Sequence, residues 1–432
     1  MLKLTGLAAE LYGEILKIPV IDCHEHLPTE AARVAQKIDV TTLFAHYTRA
    51  DLESAGLPLG DAEWQKHEIY DTSKPVLPRW RKLEPYYRAI RHGSYAYPAL
   101  AYVREVLGFK DISDSTVEAI SEKLQADNRR GLYKKVMQKL CGIQTAIQCT
   151  EGVVRGDQPF FVYLARDRVE QADGCAAPAD CLARLEREQG RSIRTLPELV
   201  DALGAHVQEQ KRRGAVGLKI AMAYRRTLEV ADVAAADAER VFVRLRRAVR
   251  SAVSEAERTA LEDYLLRREI EHCIDAGLPV VIHTGYQAGL HNDIRNARAT
   301  LLWGLLKSYP QARFDLFHGS FPYTGDMTVL GKYFPNVALN MCWMHIMGPE
   351  ASRRALGEWL DAVPVNKIFA FGGDYLVVEK VYGHLQLARA DVAAVLAAKI
   401  EAGRMTEADA LEVARLLFHD NPVRWYKLRG KK

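Results

Sequence analysis

The chain has 432 residues, of which 48% are hydrophobic and 26% are charged. This composition is typical of a soluble globular protein and excludes a disordered, collagen-like or disulfide-scaffold chain. The formal net charge of +4 is small for this length, so we expect neither nucleic acid nor a membrane as a partner. The length allows two or three domains, or one α/β barrel with insertions.

Seven cysteines are present without a C-x-x-C pair. This pattern predicts reduced, packed thiols in a cytoplasmic protein rather than disulfides or a structural zinc module. Glu10, Glu14 and Lys17 interrupt any apolar run near the N-terminus, so we expect no signal peptide. No apolar stretch approaches about 18 residues, which predicts that there is no transmembrane helix.

Eight short apolar runs follow one another along the chain and are typical of parallel strands buried on both faces. They are Ile18–Cys23, Ile143–Cys149, Phe160–Leu164, Ala215–Ile220, Pro279–Ile282, Phe314–Phe317, Val337–Met341 and Ile368–Phe371. Apolar residues at helical spacing occupy Leu196–Arg213, Arg298–Ser308, Glu350–Asp361 and Glu379–Ala402. The long charged segment Ala231–Ala276 predicts either two helices or one long one.

Eight strand–helix units predict an α/β fold, a (β/α)8 TIM barrel formed by residues 1–432 as a single domain. The alternative, a doubly wound open sheet, is disfavoured because no G-x-G-x-x-G or P-loop pattern follows a strand. Residues from about 41 to 140 separate the first two strands and contain helical patterns. We expect them to form a helical insertion that caps the active site, since barrel active sites lie at the C-terminal strand ends.

Ionisable side chains stand at the ends of five predicted strands. They are His24 and His26 after strand one, Lys219 in strand four, His283 in strand five, His318 after strand six and Asp374 after strand eight. Each alone is typical of an ordinary structural residue, but in one barrel all six would converge. Neutral imidazoles with a carboxylate suit Zn, Fe, Mn or Ni, and three or four such ligands with an open position form a hydrolytic metal site.

The order His-x-His, Lys, His, His, Asp resembles that of the amidohydrolase superfamily of metal-dependent hydrolases. The runs GLKIAMAYRR, IHTGY, HGSFPY and FGGDY and the tail NPVRWYKL are similar to one branch. That branch is the amidohydrolase-like domain fused ahead of a glutamine synthetase-like domain in some fungal and plant proteins. Uronate isomerases resemble the chain more distantly and share a similar insertion. The resemblance covers nearly the whole chain and is strongest from about residue 214 to 428.

The resemblance implies a role for each residue at the strand ends. His24, His26, His283 and Asp374 would hold a divalent metal, zinc first, with Mn, Fe or Ni as alternatives. Lys219 matches the position of a carboxylated lysine that bridges two metals in some members, so one or two ions are open. As the alternative catalytic role, Lys219 would bind a substrate oxygen as an unmodified ammonium. His318 would bind a second metal or donate to the substrate carbonyl. Asp374 would orient a metal-bound water and transfer its proton.

Loops after strands four, five and seven supply candidate substrate-binding residues. They are Tyr224, Arg225, Tyr286, Arg295, Trp343 and His345. Because the Arg guanidinium pairs with carboxylates through two parallel hydrogen bonds, Arg225 or Arg295 would suit an acidic end of the substrate.

The sequence therefore predicts a metal-dependent hydrolase that cleaves a C–N amide-type bond in a small polar, carboxylate-bearing molecule. A metal-dependent decarboxylase or a uronate-isomerase-like enzyme is the first alternative, since both use similar ligand sets in this superfamily. A barrel that serves only as a binding module is the second. We also expect a homo-oligomer.

Overall fold

A computed structural model describes residues 3–60, 66–149, 158–169, 178–247 and 253–428. It contains a sheet of eight parallel strands in the order β1 to β8. The strands are β1 Val20–Glu25, β2 Ile143–Gln148, β3 Phe161–Arg166, β4 Ala215–Ile220, β5 Val280–His283, β6 Phe314–Phe317, β7 Val337–Asn340 and β8 Ile368–Phe369.

Backbone hydrogen bonds also join the two ends of this sheet. Cys23 N donates to Phe371 O at 3.1 Å, and Asp374 N donates to His24 O at 2.8 Å. The segment after β8 therefore pairs with β1, and the sheet has the TIM-barrel arrangement that the sequence predicts. All eight predicted strands are present. Val280–His283 and Phe314–Phe317 are buried at every position, as expected for parallel strands that are covered on both faces.

Helices follow the strands and form the outer layer. They are α1 Gly6–Ile15, α2 Glu30–Val34, α3 Tyr47–Ser54, α4 Val76–Ile90, α5 Tyr97–Ala101, α6 Val117–Asp127, α7 Pro178–Gln189, α8 Leu196–Arg212, α9 Ala235–Arg246, α10 Glu255–Ala276, α11 Trp303–Ser308, α12 Thr324–Tyr333, α13 Met344–Met347, α14 Pro349–Ala362, α15 Val378–Glu401, α16 Glu407–Arg415 and α17 Asn421–Tyr426. Short 3₁₀ or π-helical turns occupy Val40–Phe44, Glu68–Tyr70, Tyr102–Val106, Lys134–Leu140, Met222–Tyr224, Ile294–Ala297, Ala299–Leu302, His318–Ser320, Val365–Lys367 and Leu416–Asp420.

Two predicted helices differ from the structure in informative ways. The described residues of the segment 231–276 contain two helices, α9 and α10, and α10 begins where Ser254 and Glu257 cap each other's backbone N–H groups. The predicted helix over 298–308 is regular only in α11. Its first part, Ala299–Leu302, is a 3₁₀ turn, and Ser320 Oγ accepts a hydrogen bond of 3.0 Å from Ala299 N at its start.

The described residues between β1 and β2, 26–60 and 66–142, form the expected helical insertion, which contains α2 to α6. Within this insertion, the rings of Phe44, Trp80 and Tyr87 pack together. Lys380 at the start of α15 donates to Ala45 O at 3.1 Å and to Thr48 Oγ1 at 2.9 Å, which fixes the insertion against the barrel.

Two further predictions concern the chain as a whole. Within the described ranges, no helix combines the length and the apolarity needed to cross a bilayer. The described cysteines Cys23, Cys141, Cys149, Cys181, Cys273 and Cys342 are free and buried. Cys175 lies outside the described residues.

Candidate active site

A cavity of about 260 Å³ lies at the C-terminal ends of the strands, and we call it the metal chamber. All six predicted strand-end residues line it: His24, His26, Lys219, His283, His318 and Asp374. They come from β1, β4, β5 and the segments after β6 and β8. The barrel therefore gathers residues that are up to 350 positions apart in the chain.

Three ligand atoms in the chamber have the spacing of a metal site. His24 Nε2 lies 3.1 Å from His26 Nε2, and Asp374 Oδ1 lies 3.5 Å and 3.2 Å from these two atoms. Ligands about 2.1 Å from a tetrahedral zinc ion are separated from one another by about 3.4 Å. The three atoms thus fit a divalent cation. Cys149 lies close to the two histidines, and Cys342 lies close to His318 and Asp374.

Asp374 is held in a strained backbone conformation, with φ of 60°. Its N–H bonds to His24 O, and the preceding Gly373 N–H donates to the buried Asp22 carboxylate at 3.0 Å. Gly373 permits this turn because a Cβ there would collide with the Glu25 carboxylate. Burial raises the pKa of Asp374, but His24 and His26 outweigh it and hold the pKa well below its usual value. Asp374 is therefore an anion against the histidine pair.

His318 and His283 form a second pair that points to a cation. His318 Nε2 lies 3.0 Å from His283 Nδ1, while their other ring nitrogens contact Cys342 O and Tyr286 O. Burial lowers the pKa of His318 to about 4 and that of His283 well below its usual value, so both rings are neutral. Each neutral ring carries one N–H, and the N–H groups donate to Cys342 O and Tyr286 O. The facing nitrogens then present two lone pairs, which a metal ion bound beside them would stabilise.

Lys219 adds a buried amine to the same chamber. Its Nζ lies 3.9 Å from the centre of the Phe317 ring and has no hydrogen-bond partner in the described part of the chain. Burial lowers the pKa of this amine. An unsatisfied buried amine is costly unless a ligand pairs with it, so Lys219 is available to a substrate carboxylate or a metal-bridging group.

Three of the predicted substrate-binding residues lie at the mouth of the barrel. Tyr224 lines the metal chamber, and its hydroxyl accepts a hydrogen bond from Ala288 N at 3.0 Å. Tyr286 and Trp343 line a neighbouring cavity. Their rings pack together, with centres 5.6 Å apart.

The other three predicted substrate-binding residues are placed elsewhere, which corrects the sequence interpretation. Arg225 pairs with the buried Glu262 at 2.9 Å. Arg295 pairs with Asp293 two residues earlier, and its side chain is 84% exposed to solvent. His345 is fully buried between Asp391 and Ala370 O. Since local or buried partners take their hydrogen-bonding groups, none of the three lines the metal chamber.

The sequence interpretation missed several residues that line the metal chamber. Cys149, Arg166 and Asp167 come directly at or after the ends of β2 and β3, and Tyr47 comes from the insertion. The first three share the signal that identified His283, a polar residue at the end of an apolar strand. Tyr47 has no such signal, because its place over the barrel depends on how the insertion folds.

Comparison with known proteins agrees with this geometry. The family model described as "Amidohydrolase" matches residues 21–428. The chain belongs to the amidohydrolase family. It is an enzyme of the amidohydrolase superfamily, whose members are metal-dependent, and the histidine–aspartate clusters are its candidate metal ligands.

Individual relatives differ in how much of the chain they match. The chain is 28% identical to "Protein fluG" of Emericella nidulans over 49% of its length, but the match covers only 26% of that longer protein. It is 26% identical to a uronate isomerase of Phenylobacterium zucineum over 98% of this chain and 94% of that one. The structure of a uronate isomerase of Thermotoga maritima superposes with a TM-score of 0.80 over 97% of each chain, at 14% identity, which shows a shared fold.

Proposed function

We propose that the chain is a divalent-metal-dependent aldose–ketose isomerase that acts on a uronate, a sugar acid. The observation that supports this proposal best is the similarity to the Phenylobacterium uronate isomerase. The match spans nearly all of both proteins, so it includes the insertion as well as the barrel. This proposal replaces amide hydrolysis, which the sequence favoured, as the first candidate.

The metal chamber has charges that suit a uronate. Lys219 and Arg166 line one cavity with Asp374 and its histidines. The two cationic side chains are suited to the sugar carboxylate, and the histidine–aspartate group is suited to a cation that holds sugar oxygens. A single cavity thus offers both kinds of partner that a short, oxygen-rich acid needs.

Isomerisation moves one proton from C2 to C1 of the open-chain sugar and one from O2 to O1, so that the carbonyl moves from C1 to C2. The metal, when bound, polarises the sugar oxygens. Asp374 directs Oδ1 to His24 and His26, and its Oδ2 lies 3.9 Å from His318 Nε2. We assign the transfer of the proton from C2 to C1 to Oδ2 of Asp374. Tyr47 and His46, from the insertion, also line the chamber.

The test is to incubate the metal-loaded protein with galacturonate and glucuronate and to measure ketose formation. Proton exchange at C2 in D₂O gives a second, independent readout. Lys219→Met should raise KM for the uronate about tenfold or more, because a charged hydrogen bond to the carboxylate is lost. Lys332→Met, on the exposed side of α12, is the matched control. Absence of both ketose and C2 exchange would refute the proposal.

Hydrolysis of a C–N amide-type bond is the second candidate, and one observation favours it. Asp374 has one oxygen towards His24 and His26 and the other towards His318, an arrangement that also suits a base beside a metal-bound water. The same preparation should therefore be assayed with N-acyl and γ-glutamyl amides. Release of ammonia or amine without ketose formation from uronates would establish hydrolysis instead.

A further inference from the structure

A second cavity adjoins the metal chamber. It has a volume of about 190 Å³, and we call it the aromatic cavity. It shares His46, Tyr47 and Ala288 with the metal chamber. Either volume alone is below the range of about 300–1,000 Å³ that is usual for small-molecule sites, whereas the two together lie within it.

The walls of this cavity are aromatic. Tyr47 and Trp343 are stacked with ring centres 4.2 Å apart, and the rings of Tyr95 and Trp343 are nearly parallel, at 6° to each other. Tyr286 closes another side, 5.6 Å from Trp343. These rings come from the insertion and from the segments after β5 and β7. Such walls suit the apolar face of a ring-shaped ligand.

Polar groups are also present at this aromatic cavity. Glu53 and Arg49 line it and form an ion pair at 3.0 Å. Glu53 Oε2 is buried and accepts no hydrogen bond within the described residues. Aromatic walls beside a carboxylate and a guanidinium match the chemistry of a sugar ring, which has apolar C–H faces and a rim of hydroxyl groups.

We infer that the aromatic cavity binds a second sugar ring, so that the preferred substrate is a two-ring oligosaccharide with a uronate at its reducing end. This inference rests on the proposed function, because isomerisation requires a free C1 on the ring in the metal chamber. The second ring must then be linked through another carbon of the uronate. The insertion, which supplies Tyr47, Glu53 and Tyr95, sets this preference.

The experiment compares the dissociation constants of galacturonate and digalacturonate for the metal-loaded protein by calorimetry. Digalacturonate keeps a free C1 on its reducing-end ring. Stacking of the second ring predicts about tenfold tighter binding of digalacturonate. Tyr95→Leu and Glu53→Gln should each reduce this ratio towards one. Tyr333→Leu, which removes a tyrosine that is 65% exposed on α12, should preserve the ratio.

The outcomes separate the two proposals. Equal dissociation constants for the two ligands in the unmodified protein, or a ratio that both variants preserve, would overturn the second sugar site alone. Failure of both ligands to bind or to react would overturn the uronate proposal as well. Glu53→Gln keeps the shape of the side chain, so the test stands even if Tyr95→Leu does not fold.

Discussion

Lys380 allows a quantitative prediction about stability and pH. Its amine is fully buried at the start of α15 and donates to Ala45 O and Thr48 Oγ1, and the charge of Asp51 favours its protonation. Burial lowers the pKa of Lys380 to about 7, against about 10.4 in the unfolded chain. Between these values the unfolded chain binds more protons, so the free energy of unfolding rises with pH. From about pH 7 to about pH 8 the gain is about 1 kcal/mol.

The measurement is urea denaturation of the unmodified protein and of Lys380→Met at both pH values. The difference in unfolding free energy between the two proteins should grow by about 1 kcal/mol at the higher pH, since all other titrating groups are common to both. Lys332→Met, an exposed lysine on α12, should show no such change relative to the unmodified protein. A difference that is constant across this pH range would show that Lys380 stays charged, and would refute the reasoning.

Three further predictions concern the metal chamber. Asp374→Asn should keep the fold and lower kcat about 10²- to 10⁴-fold, because the base is lost; near-normal kcat would remove Asp374 from proton transfer. Gly373→Ala should lower metal content and cost about 1–3 kcal/mol of unfolding free energy, because its Cβ meets Glu25; an unchanged melting temperature and metal content would contradict this. Chelation should lower the melting temperature, and zinc should restore it, corresponding to about 3–4 kcal/mol at saturating metal; metal analysis that finds no bound ion before chelation would contradict the site.

The sequence predicts the barrel and the core of the metal chamber for one physical reason. Strands such as β5 and β6 are buried on both faces, so their composition alone marks them, and a polar residue at their end is conspicuous. His283 and His318 are found in this way. Arg166 carries the same signal at the end of β3, so the sequence marks this residue in the same way.

One tertiary partner and one local partner explain why two of the predicted substrate-binding residues lie outside the cavities. His345 is followed 46 residues later by Asp391, and only the packing of α15 brings the two together. Arg295 donates two hydrogen bonds to the carboxylate of Asp293, two residues earlier, and this local ion pair would compete with a ligand carboxylate. The placement of Tyr47 and Tyr95 similarly depends on the insertion folding against α15. Patterns along the chain contain no information on contacts of this range.

Backbone strain gives independent support for the site. Seven described residues other than glycine have positive φ, and four of them, His46, His318, Trp343 and Asp374, line the metal chamber or the aromatic cavity. The other three, His291, Ser320 and Lys427, line neither cavity. A non-glycine residue in this region costs roughly 1–3 kcal/mol, so replacement by glycine would relieve strain at each position. Tertiary hydrogen bonds hold two of these turns, from Trp343 N to Gly372 O and from Asp374 N to His24 O. Folding alone would favour glycine at these four positions, and the side chains that stand there instead all face the joined cavities.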